Sequence, residues 1–197
     1  MYMIKTIIFD FGDVLVRDTT KVLEAKYKFD NLPKSKQRAY IKAFHNSEVG
    51  KYTTQQLLKI MHETLAPNMK PKEIEEFIVH TKILPTWKLA QKLSQKYKVI
   101  IFSNNQKLWP KKIAEILGEN FFQFPWINSA YIGMRKPDKQ FYTYVLKKFK
   151  LKASECAFID DKLKNITPAL SLGFHAFQYN KNIGDLKSFL KKAGISV

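Results

Sequence analysis

The sequence has one cysteine, three arginines and no apolar run near the roughly 18 residues a membrane-spanning helix needs. A single thiol excludes an internal disulfide framework and fits a reducing cytosol, so a cytoplasmic location is expected. Cys156 stands in Glu155-Cys156-Ala157-Phe158-Ile159, a strand-like stretch, and is expected to be a small packed side chain rather than a nucleophile. The chain enters an apolar stretch within a few residues of its start, which is not the pattern of a signal peptide. Arginine scarcity bears on the charge. Of 34 basic residues against 17 acidic ones, only Arg17, Arg38 and Arg135 are arginine, and the formal net charge is +17. Arginine makes the bidentate phosphate and base contacts, whereas lysine is a hydrated point charge. The lysines also spread along the whole chain, so a solvated basic surface is expected in place of a nucleic-acid site. Its field still draws anionic substrates inward. The four histidines, His45, His62, His80 and His175, share no metal-ligand spacing. Internal repeats, low-complexity segments and long linkers are lacking too, and nothing in the pattern assigns an oligomeric state.

What is present is globular: 197 residues, 45% hydrophobic and 14% aromatic, enough for one domain or one domain with an insert. The chain is organised around Ile7-Ile8-Phe9-Asp10-Phe11-Gly12-Asp13-Val14-Leu15-Val16. A β-branched apolar run reads as a strand buried on both faces. It ends in a carboxylate, and Gly12 permits a sharp turn and a ligand's close approach. From about residue 18 to 85 the periodicity is helical with no convincing strand. Helices are expected over about 35–46, from a cap at Thr53 or Thr54 to about 65, and over about 72–81 after Pro71. This stretch reads as a small helical cap (18–85) inserted into an α/β core (1–17 and 86–197). From Pro85 helix and strand alternate: helices near 87–97, 109–117, 139–149, 163–172 and 183–193, strands near 98–102, 126–128, 156–159 and 175–177. Repeated βα units imply an α/β fold, a doubly wound parallel sheet with right-handed crossovers.

Polar groups fall at the ends of these strands: Asp10, Ser103, the loop carrying Lys136, and Asp160 with Asp161. In a parallel sheet they share one edge, where open α/β sheets bind ligands. Three neighbouring carboxylates repel unless a cation lies among them, and hard oxygen donors suit Mg2+ completed by a substrate phosphate. Lys136 and the Ser103 hydroxyl can hold the remaining phosphate oxygens. One carboxylate is then left as a nucleophile, a role that forms aspartyl-phosphate in other enzymes.

The order of these motifs resembles the haloacid dehalogenase (HAD) superfamily, in its group with a small helical cap after motif one. Phe9-Asp10-Phe11-Gly12-Asp13-Val14-Leu15 matches the first motif, Phe102-Ser103-Asn104 the second and Gly133-Met134-Arg135-Lys136-Pro137 the third. Phe158-Ile159-Asp160-Asp161, with Asn165-Ile166 and Ala169, matches the fourth. The resemblance implies a Rossmann-like core and a hydrolase in which Asp10 is the nucleophile and a Mg2+ ligand. It further implies the Gly12 carbonyl as a second ligand, Asp160 and Asp161 completing the metal site, Ser103 and Lys136 binding the phosphoryl group, and Asn104 touching substrate. A cis Lys136–Pro137 bond is also expected from it. The substrate would be a small phosphorylated metabolite, such as a sugar phosphate.

One departure stands out. Most phosphatases of the superfamily carry an acid–base Asp two residues after the nucleophile, where this chain has Gly12. The nearest carboxylate is Asp13, one residue further on, an offset that redirects a side chain after a strand. Two other readings therefore stand beside phosphatase: a haloacid dehalogenase, whose halide needs no acid, and a catalytically weak binding protein. The dehalogenase branch typically has Tyr then Gly-Thr after its nucleophile, unlike Phe11-Gly12-Asp13. A binding protein has no need of a nucleophile.

Overall fold

The computed structural model describes residues 3–197. Five parallel strands form one sheet in the order β3-β2-β1-β4-β5: β1 (Thr6–Phe9), β2 (Lys98–Ser103), β3 (Trp126–Asn128), β4 (Cys156–Asp160) and β5 (His175–Gln178). β1 lies in the middle, pairing with β2 and β4, and every residue of β1 and β4 is buried. This is why both read as unbroken apolar runs.

Alternation along the strands divides the core between two faces. Ile7, Phe9, Val99, Ile101, Ala157 and Ile159 share one apolar cluster. Ile8, Ile100, Phe102, Cys156 and Phe158 share the other. The second cluster meets α8 (Lys139–Phe149) and α9 (Leu163–Ser171) through Phe141, Tyr142, Val145, Ile166 and Ala169. Phe102, Phe141, Tyr142 and Phe158 meet there edge-on or tilted, with ring centroids 4.5–5.9 Å apart, an arrangement aromatic quadrupoles favour. The first cluster continues through α5 (Pro85–Leu93), α6 (Trp109–Leu117) and α10 (Ile183–Lys192) into the helices between β1 and β2. Cys156 is fully buried within β4.

Four helices separate β1 from α5: α1 (Thr19–Lys26), α2 (Lys34–Glu48), α3 (Thr54–Thr64) and α4 (Pro71–Val79). Their starts are encoded locally. Asp18 caps α1, Thr53 and Gln56 form a reciprocal capping box on α3, and Pro71 opens α4, where its missing N–H is no loss. Departing and returning chains run side by side: Arg17 N–H donates to Lys82 O and Leu84 N–H to Leu15 O, each at 2.9 Å. The turn after α2 presses on α7 (Ser129–Ile132), where a Cβ on Gly50 would fall 2.3 Å from the Ala130 carbonyl oxygen. Glycine is required there by contact and by its φ of 72°.

Most expected elements agree with the structure to within a few residues. β1 stops at Phe9, one residue before the Asp10 carboxylate expected to end it, and Phe11–Val16 folds into turns with isolated bridges at Gly12 and Val16. Asp13 adopts the left-handed region there, with φ 57°, and Val14, Leu15 and Val16 are buried without strand pairing along β1. Hydrophobicity reports their burial and not their conformation. The four-residue α7 is the other difference, too short for any periodicity to show.

Candidate active site

Register places the chemistry. Phe9 lies opposite both Ile101 and Ile159, so the residues that follow leave the sheet at one edge. Asp10 N–H donates to Ile159 O at 2.8 Å, holding Asp10 beside Asp160 at the centre of the sheet. Lys136 arrives on the loop after α7 through a cis Lys136–Pro137 bond. Asn104 fixes that loop: its side-chain carbonyl accepts from Lys136 N–H and its amide donates to Lys136 O, both at 2.8 Å.

The Lys136 ammonium is 1% exposed. It sits 2.9 Å from Asp10 Oδ1 and donates to Asp160 Oδ2 at 2.6 Å and to the Phe102 carbonyl at 2.8 Å. Asp160, fully buried, also accepts from Lys162 N–H and from the Asn165 amide on both oxygens. Burial drags the Lys136 ammonium toward neutrality, but the Asp10 and Asp160 charges outweigh it and hold its pKa above the ordinary lysine value. Asp10 goes the other way. Burial pushes its carboxyl up to about 7, Lys136 pulls it back, and Asp160 adds repulsion.

Asp10, Asp160 and Asp161 each present an oxygen, the three within 4.8 Å of one another. Asp161 Oδ2 accepts from Lys21 Nζ at 2.7 Å, whereas its Oδ1 is buried with no hydrogen-bond partner. An orphaned carboxylate oxygen in a cluster of hard donors fits a small divalent cation.

Asp10, Gly12, Asn104 and Lys136 line one open cavity. Val16, Phe44, Ile78, Trp109 and Ile113 give it an apolar wall, and Asp18, Glu48 and Lys162 a charged one. Ser103, Asp160 and Asp161 are not among the lining residues. The Ser103 hydroxyl, buried at the end of β2, makes only a 3.4 Å contact to Asn104 O. Glu48 is gripped by Arg135 through Nε at 2.8 Å and a terminal nitrogen at 2.6 Å. Burial raises the Glu48 pKa more than Arg135 lowers it.

Asp13 is turned away from this cavity. Its carboxylate accepts from Lys21 Nζ at 2.8 Å and from Asp18 N–H at 3.1 Å, with Lys181 Nζ 3.3 Å away. Burial opposes its ionisation, but these bonds and charges hold the pKa below the ordinary carboxylate value. The stability it contributes is therefore present above the unfolded-state pKa near 3.8 and lost as pH falls through the lower folded value. Asn tolerates the left-handed backbone of this position. Asp13→Asn should cost about 1.5–3 kcal/mol in urea unfolding at pH 7, the scale of hydrogen bonds to a charged group. The gap to wild type should close in strongly acidic buffer.

Lys21, Asp18 and Lys162 escaped sequence reasoning. None sits in a motif, and α1 shows no polar pattern that singles Lys21 out. Proximity of residues 18, 21, 161 and 181 exists only in the folded chain.

The chain belongs to the haloacid dehalogenase-like hydrolases, whose family model matches residues 4–173. A HAD family enzyme from Bacteroides thetaiotaomicron shares the fold, with a TM-score of 0.73 and 22% identity over 91% of this chain and 95% of that one. Its wild-type complex with magnesium and inorganic phosphate superposes at a TM-score of 0.71, with 21% identity over 91% of this chain and 96% of that one. A sesquiterpene phosphatase of Aspergillus oryzae is 51% identical over 45 residues, 23% of either chain. A drimenol cyclase of Aspergillus calidoustus is 43% identical over 53 residues, 27% of this chain and 10% of that one. The matched stretches thus span less than a quarter of these two curated relatives. No helix among the described residues is long and apolar enough to cross a membrane.

Proposed function

We propose that this hydrolase is a Mg2+-dependent phosphomonoesterase acting on a small phosphorylated metabolite through an aspartyl-phosphate intermediate. The observation that carries this reading is the buried Lys136 ammonium between Asp10 and Asp160, beside the orphaned oxygen of Asp161. Such a site holds a nucleophilic carboxylate and receives an anion.

Asp10, Asp161 and the Gly12 carbonyl would hold the metal directly, with Asp160, whose oxygens already accept from Lys136, Lys162 and Asn165, acting through water. When bound, Mg2+ offsets the carboxylate charges and polarises the phosphoryl oxygens. The residues do the rest. Asp10 attacks phosphorus, the alcohol leaves, and water then cleaves the acyl phosphate. Lys136 neutralises the incoming phosphoryl charge beside Asp10, and Ser103 donates to one of its oxygens. Asn104 keeps Lys136 in register and faces the substrate. We read the 18–85 insert as a cap, because its Asp18, Phe44, Glu48 and Ile78 line the same cavity as Asp10 and Lys136. The magnesium and phosphate complex of the Bacteroides enzyme and the partial match to a sesquiterpene phosphatase support the reading.

Hydrolysis of p-nitrophenyl phosphate tests it. Purified protein should release p-nitrophenol with Mg2+, lose that activity in EDTA, and regain it when Mg2+ is added in excess. A folded protein with no activity above background under these conditions would overturn the proposal. Chloroacetate consumption unaffected by EDTA would replace it with dehalogenation.

A further inference from the structure

Phosphoryl transfer from an alcohol to Asp10 and then to water moves two protons, one onto the departing oxygen and one off the attacking water. Asp10 carries neither while bonded to phosphorus. On the cavity wall, Lys136 is committed to Asp10, Asp160 and the Phe102 carbonyl, and Glu48 to Arg135.

Asp18 is placed differently. Its Oδ1 accepts from Thr20 N–H at 3.1 Å and from the Thr20 hydroxyl, which orients the carboxylate. Its Oδ2 accepts no hydrogen bond among the described residues, and the residue lines the same cavity as Asp10. A Cβ built on Gly12 meets first the Asp18 Cβ at 3.7 Å, then Oδ2 at 3.8 Å and Cγ at 3.9 Å. The carboxylate at the start of α1 therefore borders the space a side chain at position 12 would enter, two residues from the nucleophile.

We propose that Asp18 is the proton-transfer residue of this site, a catalytic carboxylate supplied across space by the insert where Gly12 offers no side chain. This rests on the phosphomonoesterase reading. As the bond between Asp10 Oδ and phosphorus forms and the bond from phosphorus to the alcohol oxygen breaks, the Asp18 carboxyl gives its proton to that oxygen. The Asp18 carboxylate then takes a proton from water as the water oxygen bonds to phosphorus. Asp10 departs as carboxylate, phosphate is released, and Asp18 is again protonated.

Asp18→Asn separates this role from the structural one, because Asn caps a helix as well as Asp does. The measurement is kcat/KM with Mg2+ for phenyl phosphate, a poor leaving group, and for p-nitrophenyl phosphate, a good one. In the variant, kcat/KM for phenyl phosphate should fall about 10²–10⁴-fold and that for p-nitrophenyl phosphate by less than about 10-fold. Hydrolysis of the acyl phosphate should become limiting, giving a burst of p-nitrophenol of about one per enzyme. The double variant Gly12→Asp with Asp18→Asn returns a carboxylate to the same space and should recover much of the phenyl phosphate rate. Equal losses on both esters, or none, would overturn the assignment while leaving the phosphomonoesterase reading intact. A wild-type protein inert toward both esters would overturn both.

Discussion

Asp10→Asn should abolish phosphatase turnover and at the same time make the metal-free protein more stable. The activity loss follows from the role proposed for Asp10 as nucleophile, and a loss of at least about 10⁴-fold is expected, as when a catalytic nucleophile is deleted elsewhere. The stability gain follows from linkage. Burial pushes the folded-state pKa of Asp10 up to about 7, from an ordinary value of 3.8. A raised carboxyl pKa means the folded protein binds the extra proton, so its stability declines as pH rises from about 4 to about 7 and stays low above that. The amide carries no such charge. Thermal unfolding in EDTA at pH 8 should therefore give a higher Tm for the variant, with the difference disappearing near pH 4. A lower Tm at pH 8 would show that the attraction to Lys136 outweighs desolvation. Excess Mg2+ should narrow the gap, because a bound cation favours the ionised Asp10 of the wild type. Residual activity near the wild-type rate would remove Asp10 from the mechanism.

Lys136→Met should be damaging twice over. The side chains are of similar length, so the cavity left is small and the effect is electrostatic. Deleting one partner of a buried ion pair typically costs about 3–5 kcal/mol, because the other charge stays buried without compensation. Here two carboxylates, Asp10 at 2.9 Å and Asp160 at 2.6 Å, would lose the same ammonium. Urea unfolding at pH 7 in EDTA should show a loss of about that size, and the loss should shrink below pH 7 as Asp10, whose carboxyl is pushed up to about 7, takes up a proton. Mg2+ should raise the midpoint of the variant more than that of the wild type, since a cation among the carboxylates supplies part of what the lysine did. Turnover should not return, because the proposed phosphoryl site still lacks its buried cation. A variant as stable as wild type at pH 7 would mean that the pair contributes nothing net to folding.

Much of this molecule is decided by local pattern. Ile7-Ile8-Phe9, Val99-Ile100-Ile101-Phe102 and Ala157-Phe158-Ile159 are β-branched or aromatic runs too short for helices, and a strand buried on both faces needs no partner information to be recognised. The Thr53 capping box, Pro71 and the left-handed Gly118 after α6 likewise act over one turn of chain. Because parallel strands align their ends, the sequence also puts Asp10, Ser103 and Asp160 on one sheet edge. The contrast lies in groups that meet through space. Asp13 follows Gly12 just past the strand, and a left-handed turn sends its carboxylate to Lys21 and Lys181, partners no local pattern names. Asn104 spends both ends of its amide on the Lys136 backbone, 32 residues away. Lys21 reaches Asp161 across 140 residues, and Asp18 enters the space beside Gly12. Sequence alone determined the parallel sheet, the helices between β1 and α5 and the row of polar strand ends, because hydrophobic period and turn chemistry act within a few residues. Tertiary structure alone decided which carboxylate faces the cavity, which is bound by lysines and which keeps a free oxygen, because those outcomes depend on how α1–α4 pack against the sheet edge.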